Sequence, residues 1–461
     1  MQKQIFFKKL FKNSLSFGGF KYIGVIIQVL ATMVIARLLS PEEIGVIGLV
    51  TIFTGFFIMF AENGVTYIII RSNYGSMFWN SISALIIRIG VFIFLIMLLL
   101  AYPIAIFYDT LSLISVIIVI SFIFLIQPFG IVAKALMLKR QNFKEVGKAA
   151  LLQAFLFSVF SIIFALFNFS FWSIVFGTLI AKIGETFYLV KSSKYIPFFG
   201  TLKHVNVAWN KSKILMYNTS SFSTLNYWAR NLDNLLIGKF HSVSDLGIYT
   251  KAYQLLTLIL NLLRDTIDKV IFPMLKIEKD KGSDYQNYFL NGLRLISLLL
   301  IPVLILFVFQ SENIVKILWG SKWLDAAAII PFFGILLYTQ SLIRMSGNLI
   351  LIDEHDNKFF KNGLGVIFSI IGIVYGSFES MYAIAKYYCL ANISGTLLYS
   401  VIYGYRIILK MSWKIILSLW FPKIIFCLLL WTGLSYEIFY LKILSISLLT
   451  IHSIIDLKLS K

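Results

Sequence analysis

The sequence predicts an all-α polytopic membrane protein, and three observations predict it: composition, the length of the apolar runs, and the placement of the lysines. Of 461 residues, 59% are hydrophobic and only 13% charged, with a mean hydropathy of +0.86. That is more apolar surface than a water-soluble globule can bury. Apolar runs at Val91–Ile106, Leu111–Ile126, Leu295–Phe309 and Ile415–Leu430 approach the roughly 20 residues a helix needs to cross the hydrocarbon layer. Spanning strands would alternate apolar and polar residues over about 10 positions, and no such alternation is present. Connections rich in lysine alternate with connections poor in it, as the positive-inside rule requires of a chain with both termini in the cytoplasm.

Taken in order, the first twelve residues, MQKQIFFKKLFK, set Phe6, Phe7, Leu10 and Phe11 against lysines and lack a small-residue cleavage site. They read as a retained interfacial segment. Spans then follow at 14–37, 44–70, 79–104 and 111–133, ending at the cations Lys134, Lys139, Arg140, Lys144 and Lys148. Two more, 149–168 and 171–190, lead to Lys191, Lys194, Lys203, Lys211 and Lys213, the longest polar connection in mid-chain and the expected link between two halves. Beyond it the pattern predicts 213–238, 246–272, 287–309, 326–352, 361–377, 380–405, 414–433 and 438–455, with the 377–380 split resting on Glu379. The expectation is about 14 transmembrane helices. The net charge of +20 belongs to these connections, so it points to membrane topology and away from nucleic acid. Cys389 and Cys427 both fall in apolar runs and are expected to pack as free thiols.

One turn occurs twice. Ile35–Val46 reads IARLLSPEEIGV and Ile237–Ile248 reads IGKFHSVSDLGI, which places Arg37 on Lys239, Ser40 on Ser242, Glu43 on Asp245 and Gly45 on Gly247. Each copy predicts a capping box, Ser40 with Glu43 and Ser242 with Asp245, and Pro41 suits a first helical position. The copies join spans 1 to 2 and 7 to 8. An even offset keeps both pointing the same way, which predicts two six-helix lobes related in parallel by a pseudo-two-fold axis along the membrane normal, plus two C-terminal helices. The corresponding domains are 1–200, 201–408 and 409–461.

The span at 213–238 is the least apolar. Tyr217, Ser220, Ser221, Thr224, Tyr227, Trp228 and Asn231 recur at spacings of three and four, forming one polar and aromatic face, which Asn234 extends. Such a face either packs on polar neighbours or lines a watery cavity, and its hydroxyls and amides favour the cavity. Span 1 repeats the pattern weakly, with Gln28 at the offset of Arg230 and Thr32 at that of Asn234.

Charges also fall inside spans: Glu62, Arg88, Lys182, Glu185, Arg264, Asp265, Asp268, Arg294, Arg344 and Lys386. Each costs roughly 2.5–3.5 kcal/mol at mid-membrane on insertion scales, so partners or water are required. Basic groups are in excess, and a cavity lined by Arg88, Arg230, Arg264, Arg294 and Arg344 would suit an anionic substrate such as a phosphate or pyrophosphate. The competing reading makes these residues inter-helix clips, Arg230 with Asp233 or Asp265 and Arg264 with Asp268. Glu62 and Asp233 are the candidate proton carriers. No GxxxxGK[ST] motif is present, and the four histidines lack metal-ligand spacing, so neither a nucleotide nor a metal cofactor is expected. No acidic pair sits in a large outer loop, so catalysis has no obvious seat and no enzyme is expected.

ARLLSPEEIGVIGLV at Ala36–Val50, RNLDNLLIGKF at Arg230–Phe240, DLGIYTKAYQL at Asp245–Leu255, VIFPMLKIEKD at Val270–Asp280 and LWGSKWLDAA at Leu318–Ala327 resemble the Wzx-type polysaccharide flippases, nearest the branch exporting colanic-acid-like or teichuronic-acid-like units. The likeness runs through the first two-thirds of the chain, and no signature follows Ile352. The resemblance implies the multidrug/oligosaccharidyl-lipid/polysaccharide exporter superfamily, with two six-helix lobes around a central cleft. It implies a bacterial inner-membrane protein that moves a polyprenyl-pyrophosphate-linked oligosaccharide from the cytoplasmic to the outer leaflet, coupled to protons or membrane potential. Its expected partners are the lipid-linked anionic oligosaccharide, membrane lipid and the polysaccharide polymerase machinery. A cation-coupled multidrug exporter shares the architecture, but its cavity should favour acidic residues. A membrane glycan polymerase should carry a large outer loop.

Overall fold

The computed structural model describes residues 2–62, 65–71, 75–266, 275, 279, 285–352 and 361–459. Within these, the side chains at 2–18, 61, 62, 67, 71, 215, 218, 219, 221, 222, 225, 226, 229, 264–266, 285, 346–352, 458 and 459 are not described. Every regular element among the described residues is helical. The chain divides into two compact units, Met1–Asn231 and Leu232–Lys461.

The first unit holds α1 (Gln2–Leu38), α2 (Pro41–Glu62), α3 (Val65–Arg71), α4 (Ser76–Phe107), α5 (Ser112–Ser121), α6 (Ile123–Ile126), α7 (Pro128–Lys139), α8 (Phe143–Leu166) and α9 (Trp172–Ser193), with most of α10 (Leu202–Phe240). The second holds the end of α10, then α11 (Val243–Thr266), α12 (Tyr285–Phe309), α13 (Ser311–Leu318), a 3₁₀ helix at Ser321–Ala328, α14 (Ile330–Ile352), α15 (Val366–Gly376) and α16 (Met381–Ala391). Two π-helical stretches, Asn392–Leu397 and Ser400–Ile408, continue α16, and α17 (Trp413–Ser435) and α18 (Phe439–Leu459) end the chain.

Nine helices among the described residues are long and apolar enough to cross a membrane, or up to eleven if each of two bent pairs is one span. One pair, Ser112–Ile126 with Pro128–Lys139, bends by 43° where Pro128 lacks an amide proton for the ladder. The other, Ser321–Ala328 with Ile330–Met345, bends by 52° where the tighter 3₁₀ winding gives way to α. α10 is a helix throughout the expected span 213–238 but is too polar to pass on composition. The expected split near 377–380 is present: Ser377–Glu379 form a turn and the Ser380 hydroxyl accepts from the Ala383 amide at 3.1 Å, capping α16.

Helical spacing sorts α4 into two faces. Ile93, Met97, Ala101 and Ile104 are buried on one, while Phe92, Leu95, Leu99 and Ile106 are exposed on the other, an apolar outer face that suits lipid. Gly90 lets α4 approach the α6–α7 bend, because a Cβ there would overlap the Phe124 carbonyl and the Pro128 ring. Gly177 does the same between α9 and Ser161 of α8. In the second unit a buried polar seam joins three helical segments. Thr339 of α14 donates to Asn392 at 2.6 Å, the Asn392 amide donates to Ser369 of α15 at 3.3 Å, and Ser369 meets Thr396 at 2.7 Å. Between membrane helices such hydrogen bonds hold segments that hydrophobicity alone does not draw together.

Both copies of the repeated turn form their capping boxes. The Ser40 amide donates to Glu43 Oε2 at 2.6 Å and the Glu43 amide to Ser40 Oγ at 3.3 Å. The Ser242 amide donates to Asp245 Oδ2 at 3.2 Å and the Asp245 amide to Ser242 Oγ at 3.0 Å. Cys389 and Cys427 are free and buried.

Candidate functional site

A pocket of about 320 Å³ opens among α1, α8 and α9 of the first unit, lined by Lys21, Gln28, Gln153, Phe157, Thr178 and small residues including Gly24 and Ala181. Small residues face one another here and let α1 lie close against α8, leaving the pocket beside them; a Cβ on Gly24 would just touch that of Ala154, at 3.4 Å. The chemistry is one ammonium, two carboxamides and a hydroxyl on an apolar wall, enough to hold an anionic, hydroxyl-bearing group by its charge and its oxygens. Close by, the charges of α9 are already matched: Lys182 donates to Glu185 at 2.8 Å. At the start of α8, Lys148 donates to Glu145 at 2.8 Å, and the Tyr188 hydroxyl donates to the same carboxylate.

Among the pocket residues, sequence reasoning singled out Gln28 alone. Lys21 lies inside the expected span 14–37 and Gln153 inside 149–168, so both carried the signal of a polar group in an apolar run. Thr178 carried none, since a threonine in a membrane helix usually bonds its own backbone, as it does here to Ile174 at 2.7 Å.

Four of the five arginines have described side chains, Arg88 and Arg230 in the first unit and Arg294 and Arg344 in the second. Arg88, on α4, donates from its guanidinium to the Phe199 carbonyl at 2.7 Å, Gly200 at 3.0 Å and Ala84 at 3.1 Å. It ties down the connection before α10, with help from Tyr195, whose hydroxyl donates to Asn80 Oδ1 at 3.1 Å, and from the Phe198 amide on Ser83 at 3.0 Å. Burial pushes the Tyr195 hydroxyl above its usual pKa, keeping it a donor. Arg294, on α12, bonds Asp456 of α18 at 2.9 Å and Asn291 at 2.9 Å. Arg230 is exposed on α10 and Arg344 half-buried on α14. The side chains of Arg264 and of the candidate proton carrier Glu62 lie outside the described residues.

The polar stripe of α10 has varied partners. Tyr227 donates to the Ile52 carbonyl of α2 and its ring packs, with Trp228, on Phe56 at centroid distances of 5.7 and 5.1 Å. Thr224 bonds the Ser220 carbonyl and Asn231 the Tyr227 carbonyl, each at 2.8 Å. Tyr217 is exposed, and Asn234 Oδ1 is buried without a hydrogen-bond partner among the described residues. Asp233 accepts from the Tyr249 hydroxyl at 2.9 Å and the Asn234 amide at 2.8 Å. Three of the stretches that carried the resemblance therefore meet in the second unit. RNLDNLLIGKF bonds DLGIYTKAYQL through Asp233 and Tyr249, and Lys251 of the latter lies 5.8 Å over the ring of Trp323 in LWGSKWLDAA. Among the described residues no group of three His, Cys, Asp or Glu side chains could hold a metal ion.

This arrangement of helices is the fold of flippases and transporters already solved. The chain superposes on the lipid II flippase MurJ in an inward closed conformation with a TM-score of 0.73 at 15% identity, covering 95% of this chain and 97% of that one. On an inward-facing multidrug resistance MATE family transporter of the MOP superfamily the TM-score is 0.62 at 13% identity, covering 85% and 99%. The chain belongs to the polysaccharide biosynthesis protein family, whose model matches residues 34–328. Similar proteins are the teichuronic acid biosynthesis protein TuaB of Bacillus subtilis (strain 168), 24% identical over 61% of this chain and 58% of that one, and the lipopolysaccharide biosynthesis protein WzxC of Escherichia coli (strain K12), 23% identical over 66% and 62%. The succinoglycan biosynthesis transport protein ExoT of Rhizobium meliloti (strain 1021) is 22% identical over 67% and 62%. The matches thus span about three-fifths of these relatives' length.

Proposed function

We propose that this chain is a flippase that moves a polyprenyl-pyrophosphate-linked oligosaccharide from the cytoplasmic to the outer leaflet of the bacterial inner membrane, for surface polysaccharide synthesis. The observation that carries the reading is the polar, lysine-bearing pocket among three spanning helices in a member of the polysaccharide biosynthesis protein family. Its volume of about 320 Å³ is at the lower end of ligand pockets, roughly 300–1,000 Å³. That suits the head group of a lipid-linked sugar while the isoprenoid stays in the bilayer.

In this reading the protein works by alternating access. Fourteen spans form two parallel six-helix lobes, 1–200 and 201–408, and 409–461 adds two helices, with both termini in the cytoplasm. Arg230, Arg264 and Arg344 join Lys21 in meeting the pyrophosphate at successive stages. Arg88, on the carbonyls of Phe199 and Gly200, and Arg294, on Asp456, hold a connection and a helix in place. Tyr217, Ser220, Thr224, Tyr227, Asn231 and Asn234 keep α10 polar along the sugar's path. Glu62 or Asp233 carries the coupling proton, or membrane potential drives the cycle, and a polymerase receives the product.

The test is complementation of a strain lacking the gene, at matched protein level. Lys21→Ala, Arg230→Ala and Arg344→Ala should each lower surface polysaccharide. Full flipping by both Arg230→Ala and Arg344→Ala overturns the cationic assignment. Normal transport by Glu62→Gln and Asp233→Asn at every accessible pH removes the carboxylate coupling.

A further inference from the structure

Lys423 interrupts the apolar run 415–430 of α17 and is 0% exposed. Its Nζ donates to the Leu419 carbonyl at 3.0 Å and to Asp456 Oδ2 of α18 at 3.1 Å. The other carboxylate oxygen of Asp456 takes the Nε–H of Arg294 at 2.9 Å. Among the described residues one carboxylate thus serves two cations, and the charge does not close. Arginine stays protonated in proteins, so Arg294 and Asp456 neutralise each other, and an ammonium on Lys423 leaves the cluster at +1. An amine leaves it at zero.

Both hydrogen bonds of Lys423 survive that change, because a neutral amine still has two N–H donors. Only the third proton needs a further acceptor. One helical turn before Asp456, on the same face of α18, stands His452, whose Nε2 is buried without a partner among the described residues. Among the described residues the other titratable groups around this part of α17 are Cys427 on the same helix, Tyr338 on α14 and Tyr405 in the second π-helical stretch, which packs on Trp420 at 5.0 Å. They are one thiol and two phenols, so none of the three adds a carboxylate to the cluster. Farther along α17, the cations Lys386 and Arg406 lie over Trp431 and Trp413.

We propose that Lys423 is an exchangeable proton site: it releases one Nζ proton to water by way of the less buried Asp456 and Arg294 edge, the N–H bond breaking and the lone pair staying on nitrogen. The cluster then alternates between +1 and neutral without losing its hydrogen bonds. The ligand is the proton, and the element that senses it is the pairing of α17 and α18 with α12. That this exchange energises or gates transport rests on the flippase reading; the existence of the site does not.

The test is potentiometric titration of the purified full-length protein, wild type against Lys423→Met. The difference curve should show one proton per chain exchanged below the ordinary lysine value of about 10.4, and Lys423→Arg minus Lys423→Met should be flat there. A flat wild-type difference, or one as large in Lys423→Arg, overturns the proposal. A second measurement separates the two readings. Proteoliposomes enclosing a pH dye receive polyprenyl pyrophosphate outside, and wild type should move protons where Lys423→Arg does not. If the titration shows the proton but the vesicles stay silent for wild type, the site stands and its role in energising transport fails.

Discussion

The two copies of the capping turn share their hydrogen bonds and differ in the buried residues on either side of them. At the offset that pairs Ser40 with Ser242, Asp233 corresponds to Ala31, Tyr249 to Ile47 and Lys251 to Leu49. Asp233, Tyr249 and Lys251 are as buried as their apolar counterparts Ala31 and Leu49. The same backbone device is therefore flanked by buried apolar side chains in the first unit and by buried ionisable ones in the second. The difference teaches that the turn is a structural joint, and that chemistry enters through neighbouring buried positions, which each copy varies freely.

The comparison breaks most visibly if the first unit tolerates the second unit's charge. Leu49→Lys would bury an uncompensated ammonium, and a loss of about 3–5 kcal/mol is expected, read as failure to accumulate or a collapsed melting temperature in detergent. Its mirror, Lys251→Leu, should keep or raise the melting temperature, since replacing a buried charge by a packed apolar side chain is often neutral or stabilising. Equal damage in both directions would deny that the positions flanking the two turns differ in kind.

Next in size is the Asp233 to Tyr249 bond. Asp233→Ala strands a fully buried hydroxyl, and about 1–3 kcal/mol should be lost. Adding Tyr249→Phe should recover part of it, so a double-mutant cycle in thermal stability should show positive coupling. Additive losses would mean that the bond contributes nothing of its own. The smallest effects belong to the shared caps: Ser40→Ala and Ser242→Ala should each cost about 0.5–2 kcal/mol. Ser40 should cost more, because its partner Glu43 is half-buried and accepts at 2.6 Å while the Ser242 bonds are exposed.

Legibility in the sequence depended on which forces act locally. Hydropathy and capping are local, so the helices, the Ser380 break and both capping boxes could be read from residues a few positions apart. The family was legible too, in five stretches of which three meet in the second unit. Partners were not legible. Nothing near Arg294 in sequence announces Asp456, 162 residues away, and nothing near Arg88 announces the carbonyls of Phe199 and Gly200. Lys423 sat unremarked in a run that otherwise reads as plain membrane helix. The pocket lay hidden for a similar reason: Lys21, Gln153 and Thr178 come from three separate helices, each contributing one polar group too modest to stand out.

The central claim is most directly tested by deleting the gene and measuring lipid-linked oligosaccharide in each leaflet, together with surface polysaccharide. The account predicts that the intermediate accumulates on the cytoplasmic leaflet while surface polysaccharide falls, and that a plasmid copy reverses both. Unchanged surface polysaccharide with no accumulated intermediate would contradict it.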